Sequence, residues 1–168
     1  MAEETKDSIE GLTTAGIRHN HQSKYPAPLS ASNIVFTRTT SPRTIPAPNS
    51  PELWSCSESV DHMVTCQWTS STGWQAPEIR PFAPFDIMPT ASSIHYATQC
   101  FEGMKVYRGV DGKLRLFRPD LNAERLVMSA RRVVLPKFDP KEMVKLIEAL
   151  LRIDGPRRLH QISEIIIC

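Results

Sequence analysis

The chain has 168 residues, 40% of them hydrophobic and 23% charged, the length of one ordinary domain with room for a core but not for a large two-domain enzyme. Twenty lysines and arginines against eighteen aspartates and glutamates leave a formal charge of +2, too small to imply a nucleic-acid or membrane-surface partner. The opening Met1-Ala-Glu-Glu-Thr-Lys-Asp7 lacks the basic-then-apolar order of a secretory signal, no apolar run approaches the roughly 20 residues that cross a bilayer, and Cys56, Cys66, Cys100 and Cys168 form no C-x-x-C pair. A reducing, cytoplasmic setting is expected, with the mitochondrion as runner-up.

Residues 1–50 carry little periodic apolar pattern and gather prolines toward Pro42, Pro46 and Pro48. Such a segment buries too little surface to offset the entropy of ordering it. It is expected to be a flexible N-terminal extension, an arm whose anchor is Ile34-Val35-Phe36. The compact unit is expected over 51–156, followed by an atypical tail over 157–168.

Strand formers crowd Met63-Val64-Thr65-Cys66-Gln67-Trp68, and the Ser-Thr-Gly stretch before Trp74 supplies a turn. Prolines at 77, 81, 84 and 89 predict extended loop with at most short edge strands. Met104–Gly109 and Lys113–Phe117 flank Val110-Asp111-Gly112, the signature of an antiparallel hairpin, because glycine accepts the positive φ its turn requires. After Pro119, Ala123, Leu126, Val127, Ala130, Val133 and Val134 recur three and four apart and predict one helix face, ended by Pro136.

Asp139-Pro140-Lys141-Glu142 announces a second helix, with Asp139 as N-cap and Glu142 placed to answer the cap's own amide. Its face is Met143, Ile147, Leu150 and Leu151, and Gly155-Pro156 is expected to stop it. The apolar Ile165-Ile166-Ile167 could add one strand. Strands with turn signals followed by two helices read as α+β.

No metal is expected: the five histidines sit outside any C-x-x-C or H-E-x-x-H frame. Dinucleotide, Walker and G-x-S-x-G motifs are also missing. Two readings stand open for the basic residues after 105. They form a solvated face, or one arginine reaches a phosphate with its planar fork, and Arg125, at the edge of the apolar stripe, is then the candidate. Two also stand open for 92–103: Tyr96 and Phe101 are core aromatics with Gly103 a bend, or Tyr96 lines a pocket. Glu102 reads as structural in both.

The string His95-Tyr96-Ala-Thr-Gln-Cys-Phe101-Glu102-Gly103-Met104-Lys105, the run from Val106 to Pro119, and Leu121-Asn122-Ala-Glu-Arg125 resemble the N-terminal part of the branched-chain amino acid aminotransferases. Asp61-His62-Met63 and Gly73-Trp74 are further landmarks, and the lead-in looks most like fungal members. The resemblance implies the small N-terminal domain of a fold-type-IV pyridoxal-phosphate enzyme, an antiparallel sheet with packed helices, with the large C-terminal domain missing. It implies that Arg125 binds the cofactor phosphate and that Tyr96 lines the substrate side of the pocket. The implied reaction passes an amino group between leucine, isoleucine or valine and 2-oxoglutarate, in a homodimer.

Ser55-Cys56 departs from the Phe-Gly of many relatives, the family pattern fades after Arg157, and no Tyr-x-Arg-Pro follows. None of the lysines at 6, 24, 105, 113, 137, 141 and 145 matches the family's cofactor-anchoring lysine, so no catalytic residue is assigned. By itself the chain is expected to be inactive and to bind pyridoxal 5'-phosphate weakly or not at all. The alternative is a truncated structural or interaction protein that pairs with a full-length aminotransferase.

Overall fold

The computed structural model describes residues 26–47, 50–54, 59–158 and 162–167; Ser55, Cys56 and Cys168, singled out in the sequence, lie outside them. In chain order the elements are a 3-10 turn (Ala31–Asn33), β1 (Val35–Phe36), α1 (Pro51–Trp54), β2 (His62–Thr65), β3 (Trp68–Thr69), β4 (Gly73–Trp74), β5 (Glu78–Pro81), α2 (Ser92–Tyr96), β6 (Glu102–Arg108), β7 (Leu114–Leu116), α3 (Pro119–Arg132), α4 (Pro140–Arg158) and β8 (Ile162–Ile167). The architecture mixes helices and strands as an α+β reading requires. Instead of one antiparallel sheet, the described strands form three small ones, ordered β1-β5-β2, β3-β4 and β7-β6-β8. The β1–β5 pair is parallel, because β1 arrives from the lead-in and not from a hairpin neighbour.

Glu102, Met104 and Val106 face inward from β6 while Lys105 and Tyr107 are exposed, the two-residue period of a strand covered on one face. Ala123, Leu126 and Ala130 are the buried stripe of α3, and contacts run from β6 through α3 and α4 to β2. The hairpin forms in the predicted place, with Val106 opposite Leu116 and Arg108 opposite Leu114. Its loop has three residues: Gly109 N donates to Lys113 O at 2.9 Å, and Gly112, at φ +73°, donates back to Gly109 O at 2.9 Å. Positive φ at the third loop position is the geometry that glycine serves best. The 162–167 stretch adds β8 along the other edge of β6, with Gly103 opposite Ile166 and Lys105 opposite Glu164.

Helix α3 ends at Arg132, before Pro136 and without Val133 and Val134 on its face. Val134 N donates to Arg131 O at 3.2 Å and Leu135 N to Ala130 O at 2.9 Å, with Val134 left-handed at φ +59°. That is a Schellman termination with valine where glycine is usual, and it turns Val134 out to solvent.

In α4, Asp139 caps as expected, its Oδ1 accepting Lys141 N at 2.9 Å. Glu142 does not close a capping box. Its Oε2 accepts the amide of Ala31 at 2.6 Å and its Oε1 the ammonium of Lys145 at 2.6 Å. The helix also runs through Gly155-Pro156 to Arg158. Tertiary bonds hold that last turn: Arg108 Nη2 donates to Gly155 O at 2.8 Å, Arg157 Nη1 to Asp61 Oδ2 at 2.9 Å, and Asp154 accepts from His62. Val144 and Leu146 join Ile147 in the core, because α4 is covered by α3 and also by β2 and the 3-10 turn.

The lead-in joins the body well before residue 51. Ala27 N donates to Thr72 O at 3.1 Å and Ala27 O accepts Trp74 N at 2.9 Å, Leu29 is buried, and Val35–Phe36 pairs with β5. Far from being loop, β5 is the central strand of its sheet. Pro77 precedes it and Pro81 is its last residue, so the missing N–H groups fall at its ends and the interior can pair on both sides. The strand predicted over 63–68 breaks instead at Cys66-Gln67, and Trp68 opens β3.

Candidate functional site

Two rules of periodicity meet at Glu102. Strand alternation turns it to the same covered face as Met104 and Val106, and Asn122 and Arg125, three apart on the first turns of α3, come down over that face. Arg125 Nε donates to Glu102 Oε2 at 2.6 Å and Arg125 Nη2 to Glu102 Oε1 at 2.5 Å. Asn122 Nδ2 donates to Glu102 Oε1 at 3.2 Å and to Gly103 O at 2.9 Å, and Gly103 N donates to Glu102 Oε1 at 2.9 Å. The guanidinium of Arg125, followed by Asn122 and the Gly103 amide, holds the Glu102 carboxyl below the usual range against the opposing effect of burial. Glu102 in turn raises Arg125.

The pair is asymmetric in exposure: the Glu102 side chain is 5% exposed and that of Arg125 60%. Glu102 takes the Nε/Nη2 edge, and no further hydrogen bond among the described residues is made by the Nη1/Nη2 edge of the fork. Arg125 is therefore neither a plain solvated charge nor one consumed by its ion pair. Arg115, by contrast, is paired locally with Asp111 at 2.8 Å.

Tyr96 is the last residue of α2, followed by Ala97 in the left-handed region at φ +50°. From that short helix His95 Nε2 reaches Pro89 O, in the preceding loop, at 2.5 Å. Tyr96 is 80% and Phe101 76% exposed, so neither is a core aromatic, and Gly103 lies in β6 and is no bend. No hydrogen bond or ring contact joins Tyr96 to Arg125.

A second polar cluster, unmarked by any motif of catalysis, sits where the lead-in crosses α4. His62 Nδ1 lies 2.7 Å from Asp154 Oδ1, His62 N donates to Asp154 Oδ2 at 2.8 Å, and Thr39 N donates to His62 Nε2 at 3.0 Å. Because Nε2 accepts, the ring proton is on Nδ1. Asp61 accepts Arg43 N on Oδ1 at 2.8 Å and Arg157 on Oδ2. These groups border a cavity of about 360 Å³ beside Arg38 and Pro42. Their donors and acceptors answer one another, which makes the cluster a fastening for the lead-in. The signal that could have found both clusters is the same: an acidic residue at a position where the local period turns the side chain inward, as at Glu102.

Among the described residues no group of three or more His, Cys, Asp or Glu is placed to hold a metal ion, and no helix is long and apolar enough to cross a membrane.

No protein-family model matches the chain. Individual proteins do. The cytosolic branched-chain-amino-acid aminotransferase of Saccharomyces cerevisiae is 47% identical over 128 residues, which cover 76% of this chain and 34% of that protein. The cytosolic enzyme of Mus musculus is 47% identical over 124 residues, 74% of this chain and 32% of that protein. The mitochondrial enzyme of Rattus norvegicus is 42% identical over 124 residues, 74% and 31%. The chain thus spans about a third of the length of these relatives. Over three quarters of its own length it is a relative of the branched-chain-amino-acid aminotransferases.

Proposed function

We propose that this chain forms the phosphate-side wall of a pyridoxal-phosphate transaminase of fold type IV, acting between leucine, isoleucine or valine and 2-oxoglutarate. The observation that carries the proposal is the free Nη1/Nη2 edge of an arginine whose other edge is clamped by a buried carboxylate. Its donors fit a phosphate group, whose oxygens take parallel hydrogen bonds from a guanidinium fork. Tyr96, with ring and hydroxyl exposed, lines the substrate side. When bound, the cofactor supplies the electron sink that transamination requires. The part of Arg125 is to fix the phosphate, and with it the orientation of the ring.

Taken alone, the 168 residues hold one side of the cofactor and do not turn over, since none of their lysines is matched to the anchoring role. Pairing with a full-length relative, through the surface used in a homodimer, is the alternative role. The compartment proposed is the cytoplasm, because the yeast and mouse relatives at 47% identity are named cytosolic.

Titration of the purified chain with pyridoxal phosphate and with pyridoxal tests the proposal. Weak binding that requires the phosphate and is lost in Arg125→Ala supports it. Equal binding of the two compounds overturns the role of Arg125, and glutamate formation from leucine and 2-oxoglutarate at enzymatic rates overturns the inactivity. Size-exclusion chromatography with a full-length relative tests the pairing: co-elution at a defined stoichiometry supports it, and independent elution overturns it.

A further inference from the structure

We infer that Glu102 is a positioning residue for an anion site: it clamps one edge of Arg125 so that the other edge is presented, pre-oriented, to a phosphate. With Arg125 read as the phosphate residue, as proposed above, the geometry assigns Glu102, Asn122 and the Gly103 amide to the layer behind it.

The carboxylate is used up by protein donors. Oε2 accepts Arg125 Nε, and Oε1 accepts Arg125 Nη2, Asn122 Nδ2 and Gly103 N. Asn122 also grips Gly103 O at 2.9 Å, which ties α3 to the same strand and leaves the carboxylate no free rotation. A buried acceptor held in this way fixes the plane of the guanidinium it binds. Of the five N–H donors of an arginine, two face Glu102, and two of the remaining three form the Nη1/Nη2 fork. An unclamped arginine would lose side-chain freedom on binding an anion; here most of that ordering is already done in the free protein.

Charge makes the inference sharp. Glu102 places a negative charge within hydrogen-bonding distance of the guanidinium, so electrostatics alone says that it weakens binding of any anion. Positioning says the opposite. The two effects have opposite signs, and a substitution that keeps the shape of the side chain while removing its charge separates them.

The experiment uses the full chain labelled with 15N and follows the Arg125 guanidinium resonances by NMR during titration with inorganic phosphate at constant ionic strength, with chloride as the control anion. In the wild type the Nη resonances shift saturably with phosphate while Nε, already bonded, moves little. Glu102→Gln, which keeps one acceptor and turns an NH2 toward the guanidinium, loses the bonded Nε signature and binds phosphate about tenfold more weakly. Asn122→Ala loosens the carboxylate from behind, weakens binding severalfold, and decides the matter if Glu102→Gln does not fold. Phosphate affinity that is equal or tighter in the folded variants overturns the role of Glu102 and leaves that of Arg125 standing. Arg125 resonances that ignore phosphate in the wild type overturn both.

Discussion

Asp154, in the last turns of α4, holds His62 at two points, accepting the backbone amide at 2.8 Å on one carboxylate oxygen and facing the ring Nδ1 at 2.7 Å with the other. Through the opposite ring nitrogen His62 accepts the amide of Thr39. A single imidazole thus links the lead-in, β2 and α4. Asp154→Ala leaves two buried donors without an acceptor and is expected to cost about 2–4 kcal/mol, read from urea denaturation, with faster exchange of the Thr39 amide. In the wild type, long-range 1H–15N spectra should show His62 protonated on Nδ1. A ring protonated on Nε2 contradicts the assigned bonds.

Val134 occupies the left-handed position of a Schellman motif, where a β-branched side chain is costly, and at 89% exposure it packs against nothing that would offset the strain. Val134→Gly is therefore expected to stabilise the protein by about 1 kcal/mol. Unfolding midpoints compared at equal m-value check this, and a loss of stability would mean that the valine makes a contact worth more than its strain.

Gly73 and Gly112 share a positive φ, at +80° and +73°, but not their surroundings. A Cβ on Gly73 would stand 2.2 Å from Ala27 N, whereas one on Gly112 meets nothing within 4 Å. Gly112→Ala should cost only the conformational penalty of about 1 kcal/mol. Gly73→Ala should cost clearly more and should also expose the Ala27 amide to exchange, because the backbone of Ala27 cannot yield without breaking its bonds to Thr72 and Trp74. Equal destabilisation of the two variants would argue against the close approach.

Glu102 contributes to the pH dependence of stability. Arg125, then Asn122 and the Gly103 amide, hold its carboxyl below the ordinary range, so the folded state binds this proton less readily than the unfolded chain. The resulting stabilisation is complete above the ordinary carboxylate range and is lost as pH falls through the depressed folded value, from about pH 5 downward. Unfolding measured across that window should show a steeper acid loss in the wild type than in Glu102→Gln. Parallel profiles would show that the ion pair does not contribute.

Local pattern in the sequence was enough for the hairpin at Val110-Asp111-Gly112, the Asp139 cap and the α3 stripe of Ala123, Leu126 and Ala130. It also set Arg125 beside Leu126 at the edge of that stripe. These features depend on residues within a few positions of one another, where turn chemistry and the strand and helix periods act directly. The tertiary structure alone decided that Arg125 is clamped by Glu102, 23 residues away, that His62 is held by Asp154 across 92, and that Glu142 answers Ala31 across 111 in place of its own cap. It also carried α4 past Gly155-Pro156 and made β5 a central strand. In each case a long-range partner satisfied a buried or terminal polar group, and local preference does not say which distant residue will be brought into reach.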